Sequence, residues 1–153
     1  MKPRIYIDTS VIGGFYDSEF EEYTKPLFEK IRKKEIEIIY SAVTEDELKE
    51  APERVKQLIR KLPKDNVLFV EVTDEVARLA EMYITENVVG KTSLADCLHI
   101  ALATVNKADV LVSWNFKHIV NLKRIRGYNS VNVKLGYSII EIRSPKELMT
   151  YED

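Results

Sequence analysis

The stretch RIYIDTSVIGGFYD, residues 4–17, decides the fold because an apolar segment in it runs directly into a carboxylate. Ile5, Tyr6 and Ile7 precede Asp8, and two hydroxyl residues and two glycines follow it. Short apolar segments that end at turn-forming residues predict strands, so we expect a strand over residues 4–8. A carboxylate in that place either caps the segment that follows or lies at the end of the strand to bind something.

The chain has the size and composition of one folded domain. It has 153 residues, 45% of them hydrophobic and 31% charged, which predicts a single domain over residues 1–153. The net charge of −2 argues against a nucleic-acid binder that is basic overall, although basic clusters occur at residues 32–34 and 117–126. The single cysteine, Cys97, excludes an internal disulfide and predicts a cytoplasmic protein. No apolar run approaches the roughly 20 residues of a membrane-spanning helix.

Strand-like and helix-like segments alternate along the chain. This alternation predicts a three-layer α/β/α fold with a mostly parallel central sheet. Thr73 and Ser93 are the predicted N-caps of two of the helices. The predicted strands are residues 4–8, 37–41, 66–71, 109–113 and 138–142. The predicted helices are residues 24–34, 44–50, 53–61, 73–86, 93–106, 116–126 and 145–149.

Polar residues collect where the predicted strands end. Asp8 ends the first strand, Ser113 and Asn115 follow the fourth, and Glu47 lies shortly after the second. Asp96 lies in the first turn of an apolar helix, where an unpartnered carboxylate is costly. Because ligands of open α/β sheets bind at the carboxyl ends of the strands, these residues form a candidate site. Each of them alone could be a turn residue, a helix-capping residue or a solvated surface charge.

Four segments taken together resemble a known family. IYIDTSV, SAVTEDEL, SLADCLHIALA and LVSWNFKHI occur in the order and spacing of the PIN-domain family, and within it of the VapC-type toxin ribonucleases. The resemblance implies that the catalytic positions are Asp8, Glu47, Asp96 and Asn115, the last in place of the family's usual aspartate. It also implies that Mg²⁺ or Mn²⁺ is bound by Asp8, Glu47 and Asp96.

The resemblance further implies a metal-dependent ribonuclease that is the toxin of a toxin–antitoxin pair. Its partners would be RNA, a second copy of the chain and a small antitoxin protein. Hard divalent cations prefer oxygen ligands and neutralise clustered carboxylates, which suits phosphodiester hydrolysis. Supporting positions around the metal are predicted for Thr9, Ser113 and His118. The aromatic residues Phe15, Tyr16, Phe20 and Tyr23 would suit a homodimer interface.

Asn115 keeps an alternative function open. It removes one negative charge from the site, so the chain could be a PIN-fold module that binds RNA or protein without cutting. An aspartyl-phosphate phosphatase is a poorer match, because Ser10 stands where that class has a second aspartate.

Two further residues each have two interpretations. His99 follows Asp96 at the spacing of helical metal ligands, but a lone histidine on an apolar helix is more often a hydrogen-bonded core residue. Trp114 could stack on a base or could pack against the core.

Overall fold

Five parallel strands form the central sheet of the computed structural model, which describes residues 2–150. The sheet order is β3-β2-β1-β4-β5, and all four neighbouring pairs are parallel. The prediction of a mostly parallel sheet is therefore confirmed. The strands are β1 (Arg4–Ile7), β2 (Glu37–Ser41), β3 (Val67–Val70), β4 (Val110–Val112) and β5 (Glu141–Arg143).

Helices cover both faces of the sheet, which confirms the three-layer architecture. Helices α1, α2, α4 and α8 pack over one core and α5, α6 and α7 over the other. None of the helices within residues 2–150 is long and apolar enough to cross a membrane. The helices are α1 (Thr9–Gly14), α2 (Glu21–Arg32), α3 (Ala42–Glu47), α4 (Glu53–Arg60), α5 (Asp74–Thr85), α6 (Leu94–Val105), α7 (Leu122–Lys134) and α8 (Pro145–Thr150).

Strand β1 is the middle strand, and both of its faces are buried. Ile5 and Ile7 belong to one core, and Tyr6 belongs to the other. Such two-sided burial explains the unbroken apolar sequence of this strand. Ile7 of β1 lies beside Val112 of β4, so the residues that follow these two strands meet at one edge of the sheet. From β1 the chain passes first to β2 and β3 on one side and later to β4 and β5 on the other. Ligands of open α/β sheets usually bind at such a switch point, here between β1 and β4.

The predicted start of the helix at residues 116–126 is wrong, whereas residues 122–126 are helical as predicted. Residues 116–120 form a turn, in which the backbone oxygen of Asn115 accepts from the N–H groups of Ile119 and Val120. The helix α7 starts only after Asn121, whose side chain accepts from the backbone N–H of Arg124 at 3.2 Å. An asparagine N-cap thus sets a boundary that the apolar spacing alone did not indicate.

Other boundaries also differ from the prediction. Thr73 caps α5 as predicted, with its hydroxyl accepting from the N–H of Val76 at 3.2 Å. Ser93 stands at the N-cap position of α6 but makes no capping hydrogen bond, because a short 3₁₀ turn leads into the helix. The last strand, predicted at residues 138–142, lies at Glu141–Arg143. The short helix α1 was not predicted.

The two glycines of α1 differ sharply in their surroundings. A Cβ atom at Gly14 would lie 2.9 Å from ring atoms of Trp114 and 3.1 Å from the hydroxyl of Thr24. A Cβ atom at Gly13 would have no atom within 4 Å. Only Gly14 is therefore required for packing.

We predict opposite stability changes for these two positions. Gly14→Ala should lower the free energy of unfolding by about 1–3 kcal/mol, because Trp114 must move. Gly13→Ala should raise it by up to about 1 kcal/mol, because alanine favours the helix. Urea unfolding measures both changes. Equal effects of the two substitutions would contradict the close packing of Trp114 on Gly14.

Candidate active site

Asp8 is buried at the end of the central strand, with only 4% of its surface exposed. Its Oδ1 accepts from the Ser10 hydroxyl at 2.6 Å and from the backbone N–H of Val11 at 3.3 Å. Its Oδ2 accepts from the Ser113 hydroxyl at 2.5 Å. Asp8 is thus both the N-cap of α1 and a fixed carboxylate at the edge of the sheet. Burial raises the pKa of the Asp8 carboxyl, and the nearby imidazole of His99 and the hydrogen bonds from Ser10 and Ser113 oppose that rise.

Ser10 was not predicted as a site residue. Its hydroxyl donates to Asp8 and accepts from the backbone N–H of Trp114 at 2.9 Å, so it links β1 to the segment after β4. A hydroxyl two residues after a strand-end aspartate was the available signal, since such side chains commonly bond locally. Ser113, which was predicted, also accepts from the N–H of Asn115 at 2.9 Å.

Glu47, the last residue of α3, is held by two donors. Its Oε1 accepts from the Thr9 hydroxyl at 2.9 Å and faces His99 Nε2 at 2.7 Å. Its side chain is 39% exposed. Burial raises the pKa of Glu47, but the hydrogen bonds from His99 and Thr9 more than offset this, so the pKa lies below its usual value. Glu47 therefore stays ionised at neutral pH.

His99 lies in the core, yet it reaches the site. It is 2% exposed, and its Nδ1 is 2.6 Å from the hydroxyl of Tyr6. Both ring nitrogens are therefore hydrogen-bonded, Nδ1 to Tyr6 and Nε2 to Glu47. The link to Glu47 was not predicted, because a single sequence does not show which residue faces a helical histidine.

Asp96 and Asn115 lie together at the same edge. The Asn115 amide donates from Nδ2 to Asp96 Oδ1 at 3.2 Å, while its Oδ1 accepts from the backbone N–H of His118 at 3.0 Å. A flipped amide would place its NH₂ group against that N–H, so the orientation is determined. Burial raises the pKa of Asp96, the charge of His118 lowers it, and the negative charges of Asp8 and Glu47 raise it further.

His118 lies beside this pair, in the middle of the 116–120 turn. Its Nδ1 is buried and has no hydrogen-bond partner among the described residues. Its backbone oxygen accepts from the hydroxyl of Tyr128 at 2.7 Å, which holds the turn against α7.

Trp114 packs in the core, so its interpretation as a base-stacking residue is wrong. It is 8% exposed, and its ring stacks on Phe20 with centroids 4.4 Å apart. Its Nε1 donates to the Thr24 hydroxyl at 2.9 Å. The exposed aromatic ring beside the site is Phe116, at 50% exposure.

The donor set at this edge consists of oxygen ligands, which fits a hard divalent cation. Asp8 and Asp96 are carboxylates whose pKa values are raised by burial, and no lysine or arginine within residues 2–150 forms a salt bridge with either. Across residues 2–150, no group of three or more histidine, cysteine, aspartate or glutamate side chains is placed to hold one ion. Mg²⁺ commonly takes one or two carboxylates and keeps several waters, which matches this arrangement.

Comparison with known proteins places the chain in a family. The family model described as PIN domain matches residues 5–118. The chain belongs to the PIN domain family. The site residues from Asp8 to His118 all fall inside the matched region of this PIN domain.

Solved structures share the PIN domain fold at low sequence identity. The VapBC2 complex of Rickettsia felis, bound to a promoter DNA fragment, is 14% identical with a TM-score of 0.59, over 92% of this chain and 98% of that chain. The DNA-bound VapBC of Salmonella typhimurium is 15% identical with a TM-score of 0.57, over 95% and 99%. VapC20 of Mycobacterium tuberculosis, a toxin that cleaves the sarcin-ricin loop, is 14% identical with a TM-score of 0.57, over 74% and 91%. The comparison with curated proteins gave no match.

Substituting Asp8 should stabilise the protein in a pH-dependent way. A carboxyl whose pKa is raised by folding destabilises the folded state above that pKa, and the penalty disappears as pH falls below the pKa of the unfolded chain. In metal-free buffer at pH 8, Asp8→Asn should therefore raise the unfolding free energy by about 1 kcal/mol, or the melting temperature by about 2–4 °C. The gain should shrink towards pH 4.

Thermal melts followed by circular dichroism measure this difference, with Asp74→Asn as the control. Asp74 is exposed in the first turn of α5 and should show no such pH-dependent gain. A lower melting temperature for Asp8→Asn at pH 8 would mean that the hydrogen bonds of the carboxylate outweigh the cost of burying its charge.

Proposed function

We propose that this PIN domain is a ribonuclease that depends on Mg²⁺ or Mn²⁺. The observation that carries the proposal is the pair Asp8 and Asp96, whose pKa values are raised by burial although the neighbouring histidines His99 and His118 oppose the rise. Neither carboxylate forms a salt bridge with a lysine or arginine of the described residues. Buried carboxylates without a cationic partner are costly, and a bound cation removes that cost. Carboxylates with shifted pKa values cluster at functional sites, so this pair indicates a functional site rather than a stabilising contact.

Asp8 and Asp96 would be the direct ligands of the cation. Glu47, tethered to Thr9 and His99, would face the water shell of the cation and accept hydrogen bonds from it. The cation, when bound, supplies an activated water and charge stabilisation for the phosphoryl group.

Each acidic residue is oriented by its own hydrogen-bond partners. For cation-dependent hydrolysis, this orientation is what the polypeptide contributes. Ser10 and Ser113 hold the two oxygens of Asp8. Asn115 holds Asp96 with its amide group, and its carbonyl oxygen is already engaged by the N–H of His118. Asn115 thus orients Asp96 and does not coordinate the cation in this arrangement.

RNA is the proposed substrate, and a toxin–antitoxin pair is the proposed biological setting. Both are supported by membership of the PIN domain family and by the VapC and VapBC proteins that share the fold. A small antitoxin protein would then be a partner, and the cytoplasm the site of action.

Removing either ligand should abolish cleavage. Asp8→Asn and Asp96→Asn should each lower the rate of RNA cleavage by at least about 100-fold, because several kcal/mol of charge stabilisation depend on the cation. Asp74→Asn is the matched control, since it also changes an aspartate in the first turn of a helix, and its rate should equal that of the wild type. A fluorescent single-stranded RNA in Mn²⁺ buffer reports the rates. Cleavage by repurified Asp8→Asn at the wild-type rate would contradict the assignment.

Asn115 should set the metal dependence of the reaction. In Asn115→Asp an oxygen replaces the NH₂ group that faces Asp96, so two carboxylates would oppose each other and a cation would bind more tightly. The Mn²⁺ concentration at half-maximal activity should fall in Asn115→Asp and rise in Asn115→Ala. A Mn²⁺ titration of the three proteins measures it. Three superimposable curves would remove Asn115 from the site.

One observation favours a second candidate function, an RNA- or protein-binding module that does not cut. The Asn115 carbonyl is occupied by the backbone, so the site offers fewer cation ligands than one with four free carboxylates. Such a module would bind RNA in EDTA and would not cleave it in Mn²⁺. The proposed nuclease requires Mn²⁺ or Mg²⁺ for turnover.

We propose a homodimer as the assembly. The aromatic residues considered for its interface are only partly available, because Phe15 packs edge-on against Phe28 and Phe20 stacks on Trp114. Tyr16 remains 37% exposed and Tyr23 is half-buried. Light scattering should give twice the monomer mass of 17.7 kDa. A monomeric mass over a wide concentration range would contradict the dimer.

A further inference from the structure

A buried chain of hydrogen bonds runs from the middle of the sheet to Glu47. The hydroxyl of Tyr6 lies 2.8 Å from Ser41 Oγ and 2.6 Å from His99 Nδ1. His99 Nε2 lies 2.7 Å from Glu47 Oε1. Tyr6 and His99 are 0% and 2% exposed, so water does not compete for the bond between them. The chain of hydrogen bonds ends at Oε1 of Glu47.

The donors in this chain can be assigned by counting hydrogens. Ser41 Oγ accepts from the backbone N–H of Thr44 at 3.3 Å, which leaves its own hydrogen for the Tyr6 oxygen. Burial raises the pKa of Tyr6, so that hydroxyl keeps its proton and donates it to His99 Nδ1. The imidazole proton then lies on Nε2, facing Glu47.

The reverse hydrogen bond, from His99 to the Tyr6 oxygen, would require a second proton on the imidazole. If His99 Nδ1 carried the proton and donated to the Tyr6 oxygen, Nε2 would present a lone pair to the Glu47 carboxylate. Two acceptors 2.7 Å apart repel each other. Only a second proton on the imidazole would repair that contact, in a place that is shielded from water.

We propose that Tyr6 fixes His99 as the Nε2–H tautomer and that His99 is thereby the positioning residue of Glu47. The inference rests on the proposed function, because Glu47 is positioned for the cation held by Asp8 and Asp96.

Glu47 needs such a positioning residue more than the aspartates do. It has a longer side chain, which is 39% exposed at the end of a short helix. Ordering a long, exposed glutamate side chain costs conformational entropy. The two donors on Oε1 order it before any cation arrives. Partners of metal-site carboxylates commonly change metal affinity by 10–100-fold.

The tautomer can be observed directly in metal-free protein. The chain has two histidines, so the imidazole nitrogens give a simple ¹H–¹⁵N spectrum, which a His118→Gln variant assigns. In EDTA, the nitrogen shifts should place the His99 proton that faces Glu47 on Nε2 and leave Nδ1 as the acceptor of the Tyr6 hydroxyl. Tyr6→Phe should shift the Nδ1 resonance, because its hydrogen-bond donor is lost.

Tyr83→Phe is the matched control for Tyr6→Phe. Tyr83 is also 0% exposed, and its hydroxyl donates to the side chain of Asn132 at 2.5 Å, in the same core but away from Glu47. It should lose stability comparably and leave the His99 resonances unchanged. A proton on Nδ1, or on both nitrogens, in the wild type would overturn the tautomer assignment.

The positioning role is tested by Mn²⁺ binding without RNA. Calorimetric titration should show that His99→Ala binds Mn²⁺ about 10–100-fold more weakly than the wild type. His99→Gln, which keeps an N–H donor, should recover part of the affinity, and Tyr83→Phe should match the wild type. Equal affinities of the wild type, His99→Ala and His99→Gln would overturn the role of His99. Absence of Mn²⁺ binding by the wild type would refute the cation-dependent function itself and the role of His99 with it, while the tautomer result would stand.

Discussion

The burial of one carboxylate at the end of the middle strand is the constraint on which the rest of the site depends. Asp8 is 4% exposed and forms no salt bridge with a lysine or arginine of the described residues. Hydrogen bonds offset the free-energy cost of burying this charge, and the same hydrogen bonds fix the neighbouring segments. The N–H of Val11 places α1 directly after the strand, and the hydroxyls of Ser10 and Ser113 tie β1 to the segment after β4.

Packing behind the site is coupled to the same residues. Ser10 accepts from the backbone of Trp114, whose ring lies against Gly14 and donates to Thr24. Trp114 is thus held by polar contacts at both ends and by Phe20 at its face. The packed core under Asp8 fixes the carboxylate within a narrow range of positions, which its proposed role as a metal ligand requires.

The three acidic residues are each held by separate partners, although their like charges repel each other. Glu47 depends on Thr9 and His99, and Asp96 depends on Asn115. Asn115 replaces a fourth negative charge with a hydrogen-bond donor, so the edge carries less repulsion in the absence of a cation. This difference favours a site that is stable when empty and binds its cation less tightly than one with four carboxylates would.

The sequence predicted the parallel sheet and the edge at which the site lies, because apolar periodicity and strand-end residues depend on local chemistry. It did not predict the start of α7, since the Asn121 cap outweighed the apolar spacing of residues 116–126. It placed Asp8, Glu47 and Asp96 at one edge, but the partners of these residues come from distant segments. The pairing of His99 with Glu47 joins residues 52 positions apart, and only the packing of α6 on α3 and β1 reveals it.

Anomalous diffraction from crystals soaked in Mn²⁺ tests the central claim most directly, because it locates the cation without relying on activity. The account predicts a peak at the carboxyl edge of the sheet, within about 2–2.5 Å of oxygens from Asp8 and Asp96. Glu47 should lie beside it, still bonded to His99. A crystal that shows no manganese at this edge, or manganese bound only at surface carboxylates elsewhere, would contradict the account.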